Sequence, residues 1–317
     1  MFYIILGVIH LVFILIMIAI LTLGERKLMA IVQRRIGPNV NGYHGLLQPF
    51  ADGLKLFIKE MIIPYKASKR IFLLSPILFL SLSLLLWALI PIDFGVVFSD
   101  LRYGLLVLFM LSSLSVYGII FSGWSSNSKY PFFGSLRSAA QMLSYEVALG
   151  FIFILLAMVA NSFNITDIVE YQKNLWLVVP LLPIFLIFFI SALAETNRAP
   201  FDLPESESEL VAGYNVEYSS IIFAMFFLGE YSNLLIMSFL LTLFFWGGWV
   251  GLFFSLINVV IKVSVILIIF VLIRAVLPRY RYDHLMSIGW TTFLPFTLVY
   301  LLFVVMLLYS TNAFGVA

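Results

Sequence analysis

The chain has 317 residues, 63% of them hydrophobic and 11% charged, with a mean hydropathy of +1.10 and a formal net charge of +2. Soluble domains use about 45–50% apolar residues, so a water-soluble globule is excluded. Long continuous apolar runs without period-two alternation exclude a transmembrane barrel, and lipid-embedded backbone must satisfy its own polar groups, which leaves an all-α polytopic membrane protein.

A template of about 20 apolar residues per crossing gives eight transmembrane helices, at roughly 2–24, 71–91, 102–122, 137–160, 174–195, 218–243, 251–277 and 288–310. The first run has neither a basic n-region nor a small-residue cleavage site and reads as a retained span. No internal repeat of the kind that builds inverted-repeat transporters is visible. The whole chain, 1–317, therefore reads as one transmembrane domain with two polar insertions, 25–70 and 196–217.

Eight spans leave both termini on one side. Fifteen of the 18 Lys and Arg residues then fall in the connections on one face. By the positive-inside bias that face is cytoplasmic in a bacterium or matrix-facing in a mitochondrion. Within the first insertion, Leu46, Leu47, Phe50, Leu54, Phe57, Ile58 and Met61 form one helical stripe over residues 45–60. That periodicity predicts a short amphipathic helix at the membrane interface, as a surface anchor or as the wall of a ligand path. Ahead of it, Arg34 and Arg35 precede a Gly37-Pro38 turn, which suits a docking surface or simply the positive-inside signal.

Farther along, Glu146 in the fourth span and Glu230 in the sixth are carboxyl groups at membrane depth, where charge is costly and usually functional. Lys262 in the seventh span is the one buried-looking cation. It could snorkel to an interface or share protons with the carboxyl groups. Tyr231 is a possible hydrogen-bond partner of Glu230. The stretch 191–218 concentrates Glu195, Asp202, Glu205, Glu207, Glu209 and Glu217 around a single cation, Arg198. It reads either as a solvated connector or as an acidic funnel that handles protons or a ligand.

There is no cysteine. Disulfides, thiolate metal sites and iron–sulfur ligation by this chain are excluded, and His10, His44 and His284 lie too far apart to form a close-spaced ligand pair. No metal or cofactor held by this chain alone is expected.

Four blocks carry a resemblance. They are GERKLMAIVQRRIGPNVNGYHGLLQPFADGLKLFIKE (24–60), GWSSNSKYPFFGSLRSAAQMLSYEV (123–147), AETNRAPFDLPESESELVAGYNVEYSS (194–220) and IRAVLPRYRYDHLM (273–286). In this order they resemble the quinone-proximal membrane subunit of respiratory complex I, the NADH:ubiquinone oxidoreductase chain 1 family with its bacterial counterparts. The PRYRYD and GYNVEYSS wording is most like plant and protist mitochondrial versions. His284 stands where that family usually has Gln.

The resemblance implies several things. The basic face becomes the matrix face of a mitochondrial inner membrane, or less readily the cytoplasmic face of a bacterial plasma membrane. Arg26, Arg35, Asp52 and Phe226 or Phe227 fall where the family lines its quinone tunnel. Glu146, Glu195, Asp202, Glu205, Glu207 and Glu230 fall on its proton-relaying carboxylate chain. Ubiquinone is the implied substrate, and the terminal iron–sulfur cluster belongs to a neighbouring subunit. Partners are the other complex I subunits, namely the peripheral arm on the basic face and antiporter-like subunits laterally, with lipids around them and no nucleic acid. On this reading the chain is part of an enzyme without a complete active site of its own. The residues alone also admit a stand-alone ion transporter, a passive anchor for a soluble module, or the equivalent subunit of a hydrogenase-type complex.

Overall fold

The computed structural model describes residues 2–93, 95–202, 213–251 and 255–310, and among these the architecture is helical. In chain order the helices are α1 (Phe2–Val32), α2 (Gln48–Ile58), α3 (Lys69–Trp87), α4 (Gly104–Ser125), α5 (Lys129–Ala160), α6 (Ile165–Tyr171) and α7 (Leu182–Glu195). They are followed by α8 (Ser220–Phe245), α9 (Ser255–Val276) and α10 (Tyr282–Ser310), the last with a π-helical turn at Ile288–Phe293. Seven of them are long and apolar enough to cross a membrane. The chain is a polytopic membrane protein.

The bundle is organised around α8. From Tyr231 to Phe245 every residue of this helix is buried, the signature of a helix enclosed on all sides. It packs against α3, α9, α1 and α7, while α5 crosses between α4, α7 and α10. Aromatic rings fill the centre. Phe153, Phe188, Phe244 and Phe245 meet edge to face at centroid distances of 5.6–6.3 Å. By contrast α10 turns most of its surface outward, as expected of a lipid-facing helix.

Three boundaries differ from the sequence reading. Helix α1 continues through Glu25, Arg26 and Lys27 to Val32, so the first connection begins eight residues later than 25. Those residues are good helix formers, and the Gly37-Pro38 turn is the first strong breaker. The amphipathic helix is found at Gln48–Ile58, and its apolar stripe faces away from the bundle. It is fastened by Ser220, whose hydroxyl donates to the carbonyls of Leu56 (3.1 Å) and Lys59 (2.6 Å).

The third difference lies in the fifth span, 174–195. Only 14 residues of it, Leu182–Glu195, are helical, about 21 Å at 1.5 Å per residue against a hydrocarbon core of about 30 Å. Pro180 and Pro183 explain why. Proline fits the first turn of a helix but not its interior, so the helix starts late although the apolar run starts early. The preceding non-helical backbone must find partners inside the protein. Val178 N–H donates to the Phe245 carbonyl (3.0 Å), and Tyr300 donates its hydroxyl proton to that of Pro180 (3.2 Å). Fully buried Gln172 donates to Leu243 O (2.8 Å) and accepts from Gly247 N–H (3.0 Å).

Lys262 completes this knot. Its ammonium donates to the carbonyls of Trp246 (2.6 Å), Gly248 (2.9 Å) and Val250 (2.7 Å) and lies 4.8 Å from the centre of the Trp176 ring. Lys262 thus closes the end of α8 and is engaged by backbone carbonyls rather than by carboxylates, which replaces the proton-sharing expectation. A buried carbonyl left without its donor costs about 1 kcal/mol or more. Lys262→Met is therefore expected to destabilise the detergent-solubilised protein by about 3 kcal/mol. The thermal unfolding midpoint, followed by the fluorescence of neighbouring Trp176, Trp246 and Trp249, measures this loss.

Candidate functional site

At the basic end of the bundle a buried ion cluster joins four segments. Glu25 of α1 is 4% exposed. Its Oε1 accepts from Arg198, in the turn after α7, at 2.7 Å, and also from Arg274 near the end of α9. Its Oε2 accepts from the Tyr231 hydroxyl of α8 at 2.6 Å. The Arg198 guanidinium lies 4.4 Å from the centre of the Tyr231 ring, a cation–π arrangement. Burial works against the Arg198 charge, but the Tyr231 and Glu25 oxygens raise its pKa above the ordinary arginine value. It stays a cation.

A cavity of about 350 Å³ opens on this cluster, lined by Glu25, Arg26, Met29, Arg35, Pro38, Tyr231 and Arg274. Its rim depends on a close turn. Gly45 (φ +77°) lies so near Pro38 that a Cβ would stand 2.3 Å from the Pro38 carbonyl oxygen, so glycine is required there. From the other side of Glu25 runs a groove of about 230 Å³ between α1, α8 and α9, lined by Met17, Leu21, Leu28, Leu235, Phe239, Val263 and Leu267 among others. A polar chamber and an apolar groove therefore share one carboxylate.

The sequence-predicted residues distribute around this junction. Arg26 is ion-paired with Asp52 at 2.5 Å, and Asp52 also accepts from Gln48 at 3.0 Å. Arg35 lines the cavity and donates to Gln33 at 2.7 Å. Of the two phenylalanines, Phe227 packs on Tyr231 with centroids 4.6 Å apart. Phe226 instead sits fully buried among Phe79, Tyr214 and Tyr218. Phe227 thus backs a residue that lines the cavity, whereas Phe226 is core.

Among the described residues, the remaining predicted carboxylates are buried or half-buried, and Glu146, Glu230 and Asp202 each have partners of their own. Glu146 on α5 accepts from Ser113 of α4 and, at 3.4 Å, from Ser112. Glu195, the last residue of α7, is buried and interacts electrostatically with Glu146. Its Oε2 meets no donor among the described residues. Glu230 on α8 accepts from Tyr214, not from Tyr231 as its neighbouring position suggested. Adjacent helical residues point about 100° apart, so Tyr231 reaches Glu25 instead. Tyr214 can approach because Gly134 of α5 carries no side chain; a Cβ there would lie 2.8 Å from the Gly213 Cα. Asp202 is 3% exposed and pairs with Arg279 at 3.3 Å. Glu205 and Glu207 lie outside the described residues.

Several groups of the site give no sign in the sequence. Hydropathy assigns Glu25 to a loop, and only the extension of α1 to Val32 turns it into a carboxylate buried on a helix. Arg274 and Arg198 count there only as topology signals or countercharge. Ser112, Ser113 and Tyr214 carry no local pattern that announces them.

Removing one partner of a buried ion cluster leaves its counterions unpaired, at about 3–5 kcal/mol. Glu25→Ala is expected to cost that much in thermal unfolding of the purified protein. The double variant Glu25→Ala/Arg198→Ala should recover part of the loss, and strict additivity of the two single effects would refute the coupling.

Comparison with known proteins follows the same lines. The family model described as NADH dehydrogenase matches residues 5–305. The chain is 55% identical over 294 residues to NADH-ubiquinone oxidoreductase chain 1 of Arabidopsis thaliana, covering 89% of each chain. It is 53% identical over 306 residues to the Chondrus crispus protein of the same name, 94% of each chain. To a subunit of the NADH-quinone oxidoreductase of Paramagnetospirillum magneticum it is 52% identical over 308 residues, 95% of this chain and 89% of that one. A match of this extent settles the family: the chain belongs to the NADH dehydrogenase family.

Proposed function

We propose that this chain is the quinone-proximal membrane subunit of a proton-pumping NADH:ubiquinone oxidoreductase. In this role it forms much of the ubiquinone tunnel and links quinone reduction to proton translocation. The names of its relatives place those proteins in an oxidoreductase that joins NADH to a quinone. The observation that carries the reading for this chain is the junction at Glu25, where a polar cavity meets an apolar groove. Such a site suits a ligand with a polar head and a long apolar tail, because apolar walls hold the bulk and a few placed polar groups set the orientation. Arg26, Arg35, Asp52 and Phe227 would line the path of the head group, with Phe226 supporting the wall from behind.

Reduction of a quinone to a quinol takes two electrons and two protons. The electrons would come from an iron–sulfur cluster in a neighbouring subunit, in keeping with a chain that has no cysteine. This chain's own residues would manage charge and protons. The arginines at Glu25 would stabilise negative charge as it develops on the head group, an effect that grows where water is excluded. Glu146, Glu195, Asp202 and Glu230, with Glu205 and Glu207 between them in sequence, would carry protons or respond to that charge. Lys262 would serve the fold rather than this route. The basic face would receive the peripheral arm, the antiporter-like subunits would lie laterally, and the membrane would be the mitochondrial inner membrane.

The test is made on membranes containing the whole complex. Glu195→Gln and Glu230→Gln are each expected to lower NADH:ubiquinone turnover and the associated proton uptake by roughly 100-fold or more, the scale typical of a lost proton-transfer group. NADH oxidation by a soluble artificial acceptor, which needs no quinone site, should be unchanged. Near-normal turnover and pumping in both variants would defeat the reading.

A further inference from the structure

Gln141 lies on α5, five residues before Glu146, and has no exposed surface. Its amide nitrogen donates to the carbonyls of Ala194 and Phe201, both at 2.8 Å, and lies 3.4 Å from Asn197 Oδ1. One side chain thus closes the two ends of the turn that follows α7. The turn is tight. Asn197 has φ 49°, Arg198 N–H returns to the Leu193 carbonyl at 3.2 Å, and Phe201 N–H to that of Arg198 at 2.8 Å.

This turn supplies both halves of the site. Glu195, at its start, is buried in the bundle, as is Glu146 of α5. Arg198, three residues on, reaches the Glu25 cluster at the ligand cavity. A displacement of the turn at one end is therefore felt at the other. Gln141 ties the turn by hydrogen bonds to the helix that carries Glu146, beside Met142, whose sulfur accepts from Asn197 at 3.8 Å, and Tyr145, whose ring packs 5.7 Å from that of Phe201.

Packing alone does not account for a glutamine here. The Gln141 Oε1 is buried and meets no donor among the described residues, an arrangement that a leucine or methionine of similar size would avoid. Buried unsatisfied polar atoms are rare and call for a reason. The two short bonds made by the nitrogen supply it.

We infer that Gln141 is a positioning residue that holds the 194–201 turn, and so sets Glu195 against Glu146 and Arg198 against Glu25. The inference rests on the proposed role of the buried carboxylates. Misplacement by about 1 Å can cost up to about 100-fold in rate, and loss of a supporting hydrogen bond is a milder form of the same fault.

The test uses membranes with the assembled complex carrying Gln141→Met, which keeps volume but donates nothing, and Gln141→Ala, which also removes volume. Glu195→Gln is measured alongside. For each, the NADH:ubiquinone rate is divided by the rate with a soluble artificial acceptor. The ratio is expected to fall about 10-fold in the Met and Ala variants alike. A wild-type ratio in Gln141→Met overturns the inference, as does a loss confined to Gln141→Ala, which would mark a packing role. A proportional fall in both rates, with the ratio kept, also overturns it. If the Met chain is missing from the membranes, Gln141→Leu, which also donates nothing, replaces it, with the same expected ratio and the same refuting result. A normal Glu195→Gln removes the carboxylate reading and the inference with it, whereas an impaired Glu195→Gln beside a normal Gln141→Met removes the inference alone.

Discussion

A carboxylate buried in an apolar bundle is the constraint on which this structure depends. Glu25 sits within a helix that crosses the membrane, and it is tolerable there because two guanidinium groups and a phenol converge on it. Those partners come from the turn after α7, from α8 and from α9, so satisfying one charge fixes three other segments. Low local dielectric strengthens each of these contacts and makes any missing one expensive. The geometry of the basic end follows from that demand.

The same demand shapes the far end with different chemistry. There the unpaired groups are backbone carbonyls, exposed because α7 is short and α8 stops at Phe245. Lys262 and Gln172 answer them. The cation at that end is committed to structure, while Oε2 of Glu195, nearer the basic end, meets no donor among the described residues. A buried carboxyl group with an open acceptor position can bind or release a proton; a lysine held by three carbonyls is poorly placed to do so. On the proposed function, this division leaves α4, α5, α7 and α8 to the chemistry and the α6–α7 and α8–α9 connections to support.

Much of this is legible in the residues. Hydropathy locates every long crossing, the helical stripe locates α2, intramembrane position marks Glu146 and Glu230, and the acidic stretch marks Glu195. What escapes has identifiable causes. An apolar run does not reveal where prolines delay a helix, so hydropathy starts α7 eight residues too early. Charged residues at the end of a hydropathy window resemble a loop, although their helix propensity continues α1 past them, and Glu25 is hidden for that reason. Pairings between distant segments, such as Tyr214 with Glu230 or Gln141 with the 194–201 turn, depend on tertiary approach and leave no local signal. The adjacency of Tyr231 to Glu230 points the wrong way because neighbours on a helix diverge.

On the proposed function, a quinone head reaches the cavity at Glu25 while its tail lies in an apolar path. Photoaffinity labelling tests this most directly, using membranes with the assembled complex and a ubiquinone bearing an azido group on its ring. Label suppressed by excess ubiquinone is expected on peptides holding Glu25 to Pro38 and Phe227 to Tyr231. Suppressible label found only on segments remote from Glu25 would contradict that placement.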